Sequence, residues 1–253
     1  MQSILRRIPI AVAPTLGGFA IAAFGVVYGV RLGLALTVGL AAITLVTVRR
    51  VDIPVMRDES PTNVHAVWRS LPTPLRRLLA SDILIRTCEG LVDAFVVLYA
   101  INVVGISAPA FGALVAVQAI TSIVSYLPVA RMADRLGRKP FVIATFVAFA
   151  AFPIAVVLAH DVPTLVLAFI VGGLREIGEP ARKAMIVDLV RPSVRARSVG
   201  LYYLIRSVSI APAAFIGGVL WSVSPVLPFW AAGAIGVTGV AVFAITVDER
   251  DAS

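Results

Sequence analysis

The stretch Ala130–Pro140, "ARMADRLGRKP", carries five charges in eleven residues. Apolar runs flank it, Phe111–Val129 before and Phe141–Ala159 after. A helix needs about 20 apolar residues to cross the hydrocarbon core of a bilayer. The two runs therefore read as membrane spans and the charged stretch as the loop joining them. Six more runs of this kind lie on either side: Ile8–Val27, Leu32–Val48, Ile83–Val104, Leu165–Leu189, Val199–Trp221 and Phe229–Val247. Eight spans make the fold class an all-α polytopic membrane protein.

Composition supports this. The 253 residues are 59% hydrophobic and 14% charged, with a mean hydropathy of +0.97. A soluble globular chain carries about 25% charged residues. The net charge of +8 would suggest nucleic acid in a soluble protein. Here the arginines cluster between apolar runs, which makes them cytoplasmic anchors and leaves no case for nucleic acid. Arg49–Leu78, Arg131–Lys139 and Arg191–Arg197 are basic, whereas Val104–Pro109, His160–Pro163 and Ser222–Pro228 are nearly uncharged. The turn Tyr28–Leu32 adds only Arg31. By the positive-inside rule the basic segments and both termini are cytoplasmic. The first run is longer than a signal-peptide core and is followed at once by another, so it reads as a span. The single cysteine, Cys88, allows neither an intrachain disulfide nor a thiol metal site.

Arg49–Leu78 contains "RDESPTN" and "LPTP" and is the one real linker. It divides the chain into two helices (1–48), a cytoplasmic linker (49–78) and a six-helix bundle (79–253). The two parts are related. "IAVAPTLGGFAI" near the start matches "VSIAPAAFIGGVLW" near the end, with Pro14, Gly17 and Gly18 answering to Pro212, Gly217 and Gly218 as a helix-packing motif. Pro14 and Pro212 are offset by 198 residues, and Val48 and Val247 by 199. Internal repeats are a habit of secondary transporters. If the first two spans match the last two, 79–253 is a full repeat unit and 1–48 is the tail of another.

The charged loop can now be placed. Ala130-xxx-Asp134-Arg135-x-Gly137-Arg138-Lys139 resembles the signature loop of the major facilitator superfamily, with Ala130 for the first glycine. "APTLGG" (Ala13–Gly18) is similar to the end of that family's fifth-helix antiporter motif, and Leu174–Ser207 to its tenth helix, cytoplasmic loop and eleventh helix. The resemblance covers nearly the whole chain. It implies that the eight spans match helices five to twelve, so that the chain is N-terminally truncated by about four helices, and that the loop is the second copy of the signature. It also implies a gate: Asp134 would dock near the cytoplasmic end of the first span, around Ile4–Ile8, while Arg135, Arg138 and Lys139 hold the loop's side. The residue types fit, since Gly137 permits a tight turn and Asp134 can sit against a helix N-terminus.

Charge also lies inside the membrane. Asp82, Arg86, Glu89 and Asp93 fall at steps of 4, 3 and 4 and share one helix face. Four charges at the bilayer centre cost at most about 14 kcal/mol, and the apolar residues of that span return only about 6. The face must look onto other helices or a wet cavity. Asp82–Arg86–Glu89 can form a packing ladder, but one arginine does not neutralise three carboxylates. Glu89 or Asp93 then needs another partner or a proton, and burial away from water favours the protonated form of a carboxylate. Arg175, Glu179 and Arg182 make a second such face, with Glu176 and Lys183 beside it and Pro180 expected to kink the span. Arg182 and Lys183 read as cytoplasmic anchors. Arg206 either reaches the same cavity or snorkels, and Gln118, Ser122 and Ser125 form a weak polar stripe suited to packing. By resemblance, the two most charged spans are the two that line the family's central cavity.

The expectation is a secondary active transporter, working by alternating access on a small organic solute with protons as the coupling ion. Arg86, Glu89, Asp93, Arg175 and Glu179 are its substrate and proton candidates. The alternative is a non-transporting membrane protein or an assembly partner that needs the missing helices. No nucleophile elbow, phosphate loop, dinucleotide fingerprint or His-rich metal site is present, so neither an enzyme nor a cofactor is expected; His65 and His160 lie in loops and receive no role.

Overall fold

The computed structural model describes residues 2–49, 68–69 and 71–247. Most of the linker lies outside the described residues, as do the side chains of Pro14, Arg131 and Asp134 and of everything before Leu16. The expected docking of Asp134 near Ile4–Ile8 therefore falls outside them too. The chain forms two compact units, Met1–Thr62 and Asn63–Ser253.

The described residues of the first unit are helical. Its element α1, Gln2–Arg49, holds both of the first two predicted spans and passes through Pro9 and Pro14. The expected turn at Tyr28–Leu32 is displaced: the backbone breaks at Gly25 (φ 76°, ψ 164°). Only glycine takes that conformation without strain. Gly29 then lies so close to the preceding segment that an added Cβ would stand 2.9 Å from the Ile21 backbone. Gly17 and Gly18 have nothing within 4 Å of an added Cβ.

The second unit is an all-α bundle of nine helices among the described residues. They are α2 (Thr73–Val92), α3 (Phe95–Asn102), α4 (Ala108–Leu136), α5 (Lys139–Val157), α6 (Val162–Leu174), α7 (Glu179–Asp188), α8 (Arg195–Ile210), α9 (Ala213–Val223) and α10 (Leu227–Thr246). Pro192–Val194 forms a 3-10 turn between α7 and α8. Five helices among the described residues are long and apolar enough to cross a membrane: Val27–Arg49, Ala108–Tyr126, Lys139–Val157, Arg195–Val223 and Leu227–Thr246.

The remaining predicted spans of this unit are broken helices. The span Ile83–Val104 divides at Asp93–Ala94 into α2 and α3, and Leu165–Leu189 divides at Arg175–Gly178 into α6 and α7. Both breaks lie beside charge. Pro180 does not kink a continuous helix as expected. It stands in the first turn of α7, where its missing N–H costs nothing. Gly178 is required at that break, because an added Cβ would lie 2.3 Å from the Phe141 carbonyl oxygen. Its amide donates to Thr145 Oγ1 at 2.6 Å.

The segment 130–140 is less of a loop than its charges suggest. Helix α4 continues through Arg135 and Leu136, and only Gly137 (φ 91°) and Arg138 separate it from α5. Arg131, Met132, Ala133, Arg135 and Leu136 are good helix formers, and the turn is delayed until a residue that tolerates positive φ. At the other end of the bundle the connections are capped. The Ser107 side chain accepts from the Ala110 amide at 3.3 Å, and Asp161 and Thr164 form a reciprocal capping box at the start of α6.

Close approach at small residues holds the helices together, as is usual where lipid offers no hydrophobic contrast. Gly233, Gly236 and Gly239 recur every third residue on α10 and meet Ile154, Ala150 and Ile85 respectively. That ridge seats α10 against both α2 and α5. On α9, an added Cβ at Gly217 would stand 2.2 Å from the Leu91 carbonyl oxygen, whereas one at Gly218 would meet the Phe95 ring at 3.7 Å. Two apolar clusters result. One surrounds Leu75, Leu78, Phe146, Phe149, Tyr202 and Phe243. The other surrounds Val92, Tyr99, Phe152, Phe169 and Phe229.

Candidate functional site

The charged faces of α2 and α7 meet. Asp82 and Arg182 are fully buried and pair at 2.6 Å between Oδ2 and Nη1. Arg182 also grips Glu179 through two bonds, Nε to Oε1 at 3.1 Å and Nη2 to Oε2 at 2.9 Å. Helix α8 adds two donors to Asp82 Oδ2. The Tyr202 hydroxyl donates at 2.8 Å and Arg206 Nη1 at 3.3 Å. Asp82 thus ties three helices together at one carboxylate. Oδ2 of this buried anion is met by three donors, two of them arginines, which offsets its removal from water, while Oδ1 makes no hydrogen bond among the described residues.

Arg86 extends the network outward. It pairs with Glu179 Oε1 and, through Nη1, with Glu89 Oε2 at 2.9 Å, and its Nε lies 3.9 Å from Asp82 Oδ1. Glu89 also faces Arg175, Oε1 to Nη1 at 3.7 Å. Arg175 sits in the break between α6 and α7, donates from Nε to the Gly172 carbonyl at 3.0 Å, and lies over the Phe152 and Phe149 rings at 4.3 and 5.3 Å. Arg86 covers Phe149 at 4.9 Å. Lys183 reaches Glu179 at 3.7 Å from the exposed side.

Of the candidates, Arg86, Glu89, Arg175 and Glu179 come together in this cluster. Asp93 does not join it by an ion pair among the described residues. It is exposed at the C-terminus of α2, where its amide closes the helix on the Glu89 carbonyl. The further partner expected for Glu89 or Asp93 is supplied to Glu89 by Arg175. The carboxylates of α2 are served by Arg175, Arg182 and Arg206 from other helices as well as by Arg86. Arg182 is corrected. It is no cytoplasmic anchor but the most buried cation of the cluster, 1% exposed, while Lys183 beside it is 56% exposed. Asp82, Arg182, Tyr202 and Arg206 complete a site that the candidate set left open. Glu179 and Arg182 are one turn apart, and so are Tyr202 and Arg206, but that these pairs meet Asp82 depends on which helices are neighbours.

The cluster has a buried end and an open edge. Asp82 and Arg182 are sealed, whereas Glu89 is 26% exposed, and Asp93 and Lys183 are exposed. No group of His, Cys, Asp and Glu among the described residues could hold a metal ion.

The signature segment lies away from this cluster in sequence. Arg138 pairs with Asp188 at the end of α7, both about one-third exposed or more. Arg135 is exposed, and Gly137 supplies the positive φ. Of the packing motif, Pro212 stands at the break between α8 and α9, and Gly217 is in tight contact with α2.

The chain was compared with known proteins. A family model described as Major Facilitator Superfamily matches residues 78–253. An uncharacterized MFS-type transporter of Methanocaldococcus jannaschii is 26% identical over 104 residues, covering 41% of this chain and 26% of that protein. The quinolone resistance protein NorA of Staphylococcus aureus is 25% identical over 134 residues, covering 53% of this chain and 34% of that one. The matched stretch thus spans about a quarter to a third of these relatives' lengths. Taken with the all-helical bundle and its apolar helices, the match over 78–253 makes this multi-pass membrane protein a member of the Major Facilitator Superfamily of transporters.

Proposed function

We propose that the bundle of α2–α10 is one half of a proton-coupled secondary transporter for a small organic solute, not an enzyme, and that its substrate site is the open edge of the ion cluster. The observation that carries this is the pairing of two broken helices with buried charge. Transporter sites are typically built where helices are interrupted near the bilayer midplane, and intramembrane ionisable groups face a wet path or one another. Glu89 and Asp93 lie at or next to the break between α2 and α3, and Arg175 and Glu179 flank the break between α6 and α7. Lipid would not cover such an edge.

Asp93 is the first candidate for the coupling proton, because it is exposed at the surface of the bundle and has no ion pair among the described residues. Glu89 is the second. Glu179, held by two arginines and Lys183, would serve as the fixed counter-ion between them. Alternating access would move this bundle against an opposing one, to which the two helical segments of 1–48 belong by the Pro14–Pro212 repeat. Asp134, Arg135, Gly137, Arg138 and Lys139 would form the cytoplasmic gate, with both termini on that side. The similarity to a quinolone resistance protein favours export.

The test uses the full chain in everted vesicles energised by a proton gradient, with a fluorescent quinolone as probe. Asp93→Asn and Glu89→Gln should each cut gradient-driven transport at least tenfold, and Glu179→Gln should do so with loss of protein yield. Unchanged transport in all three would refute the assignment.

A further inference from the structure

After Lys139, helix α5 carries one polar side chain, Thr145. It is sealed, 1% exposed, and its hydroxyl accepts from the Gly178 amide in the break between α6 and α7 at 2.6 Å. That break holds itself poorly. Its own backbone bonds span three residues each and are long, from the Arg175 amide to the Gly172 carbonyl at 3.4 Å, from Ile177 to Leu174 at 3.3 Å and from Glu179 to Glu176 at 3.4 Å. Ordinary N–H···O bonds measure about 2.7–3.2 Å. The start of α7 also has no cap of its own. Gly178 at the N-cap has no side chain, and Ala181, three residues on, has no group that could reach back to the N-cap amide. In a continuous helix that amide would bond to the Leu174 carbonyl. Thr145 takes it instead, from another helix.

The same glycine leads into the ion cluster. Its carbonyl accepts the Arg182 amide at 2.9 Å, and the Arg182 side chain meets both Asp82 and Glu179. Glu179 is the next residue in the chain. Gly178 therefore has its N–H on α5 and its C=O on the residue that ties α7 to α2. We propose that Thr145 is a positioning residue: from α5, its hydroxyl fixes the start of α7 and so sets Glu179 and Arg182 against Arg86 and Asp82. The proposal rests on reading the cluster as the transport site. Thr145 makes no hydrogen bond to a charged group among the described residues and acts through Gly178. Without the hydroxyl, the Gly178 amide is left to find the Leu174 carbonyl. That change winds the break toward a continuous helix and turns Glu179 and Arg182 away from their partners on α2.

The test uses the full chain with two readouts, transport of a fluorescent quinolone into everted vesicles under a proton gradient and melting in detergent. Thr145→Val keeps the side-chain shape without the acceptor. It should slow transport about fivefold at an unchanged amount of protein in the membrane, which is the effect of one ordinary hydrogen bond. Thr145→Ser restores the oxygen and should return the parent rate. The melting shifts of Thr145→Val and Arg182→Lys should be non-additive when combined, because the two residues act through one glycine. Thr145→Val should be additive with Tyr99→Phe, which removes a hydrogen bond to the Val157 carbonyl at the far end of α5. If Thr145→Val does not accumulate, Thr145→Cys is read in its place, since sulfur is a weak acceptor. Parent-like transport by Thr145→Val, or a Thr145→Ser variant as slow as it, would overturn the proposal. Additivity with Arg182→Lys would do so too, as would equal non-additivity with Tyr99→Phe. A parent that carries no quinolone would count against the transport reading, and the melting cycle would then decide alone whether Thr145 sets the place of Arg182.

Discussion

Asp82 on α2 and Arg182 on α7 are one hundred residues apart in the chain and meet at 2.6 Å with neither side chain reaching the surface of the bundle. Removing one partner of a buried pair leaves an uncompensated charge and costs about 3–5 kcal/mol. Asp82→Ala should therefore lower the thermal stability of the detergent-solubilised protein by that order. Replacing both residues, with Asp82→Leu and Arg182→Met together, should cost much less than the sum of the single changes. Equal single and additive double effects would show the two to be energetically independent.

Two adjacent glycines on α9 separate packing from composition. Gly217→Ala places a methyl 2.2 Å from the Leu91 carbonyl, where backbone must move, while Gly218→Ala meets only the Phe95 ring at 3.7 Å. The first variant should lose about 1–3 kcal/mol by overpacking and the second should match the parent within error, as read by melting temperature.

Arg138 in the α4–α5 turn pairs with Asp188 at the end of α7 in a half-exposed setting. Such pairs are worth at most about 1 kcal/mol and weaken with salt. Asp188→Asn should change stability little. If the pair positions the gate, the same variant should alter the transport rate, and exchanging the two residues should restore it.

On the opposite connection, the Thr164 hydroxyl and then its amide hold the Asp161 carboxyl below the usual carboxylate range. A depressed folded value contributes stability above the ordinary carboxylate range and loses it as pH falls through the folded value. Wild type should therefore melt above Asp161→Ala at neutral pH, with the gap closing in acid. A gap constant with pH would assign the effect to the cap geometry alone.

Spans and their order were legible in the sequence because a 20-residue apolar run has few other uses. The helix faces of α2 and α7 were legible too, since steps of three and four residues stack charges. Two things were not. The breaks at Gly25, Asp93–Ala94 and Arg175–Gly178 interrupt runs whose hydropathy is continuous, so composition did not mark them. The pairing of Asp82 with Arg182 and Tyr202 depends on which helices are neighbours, a tertiary fact that no local spacing encodes. Counting charges on α2 pointed to a further partner for Glu89 or Asp93, but not to the cations that α7 and α8 bring to Asp82.

The central claim is that the open edge of the cluster faces water inside the membrane. It can be measured by cysteine accessibility in sealed membranes, with the buried Cys88 as the only native thiol. A membrane-impermeant cationic thiol reagent should label Asp93→Cys and Glu89→Cys. It should leave Val237→Cys untouched, which lies on the exposed apolar side of α10. Labelling of Val237→Cys with protection of both acidic positions would contradict a water-lined site at these residues.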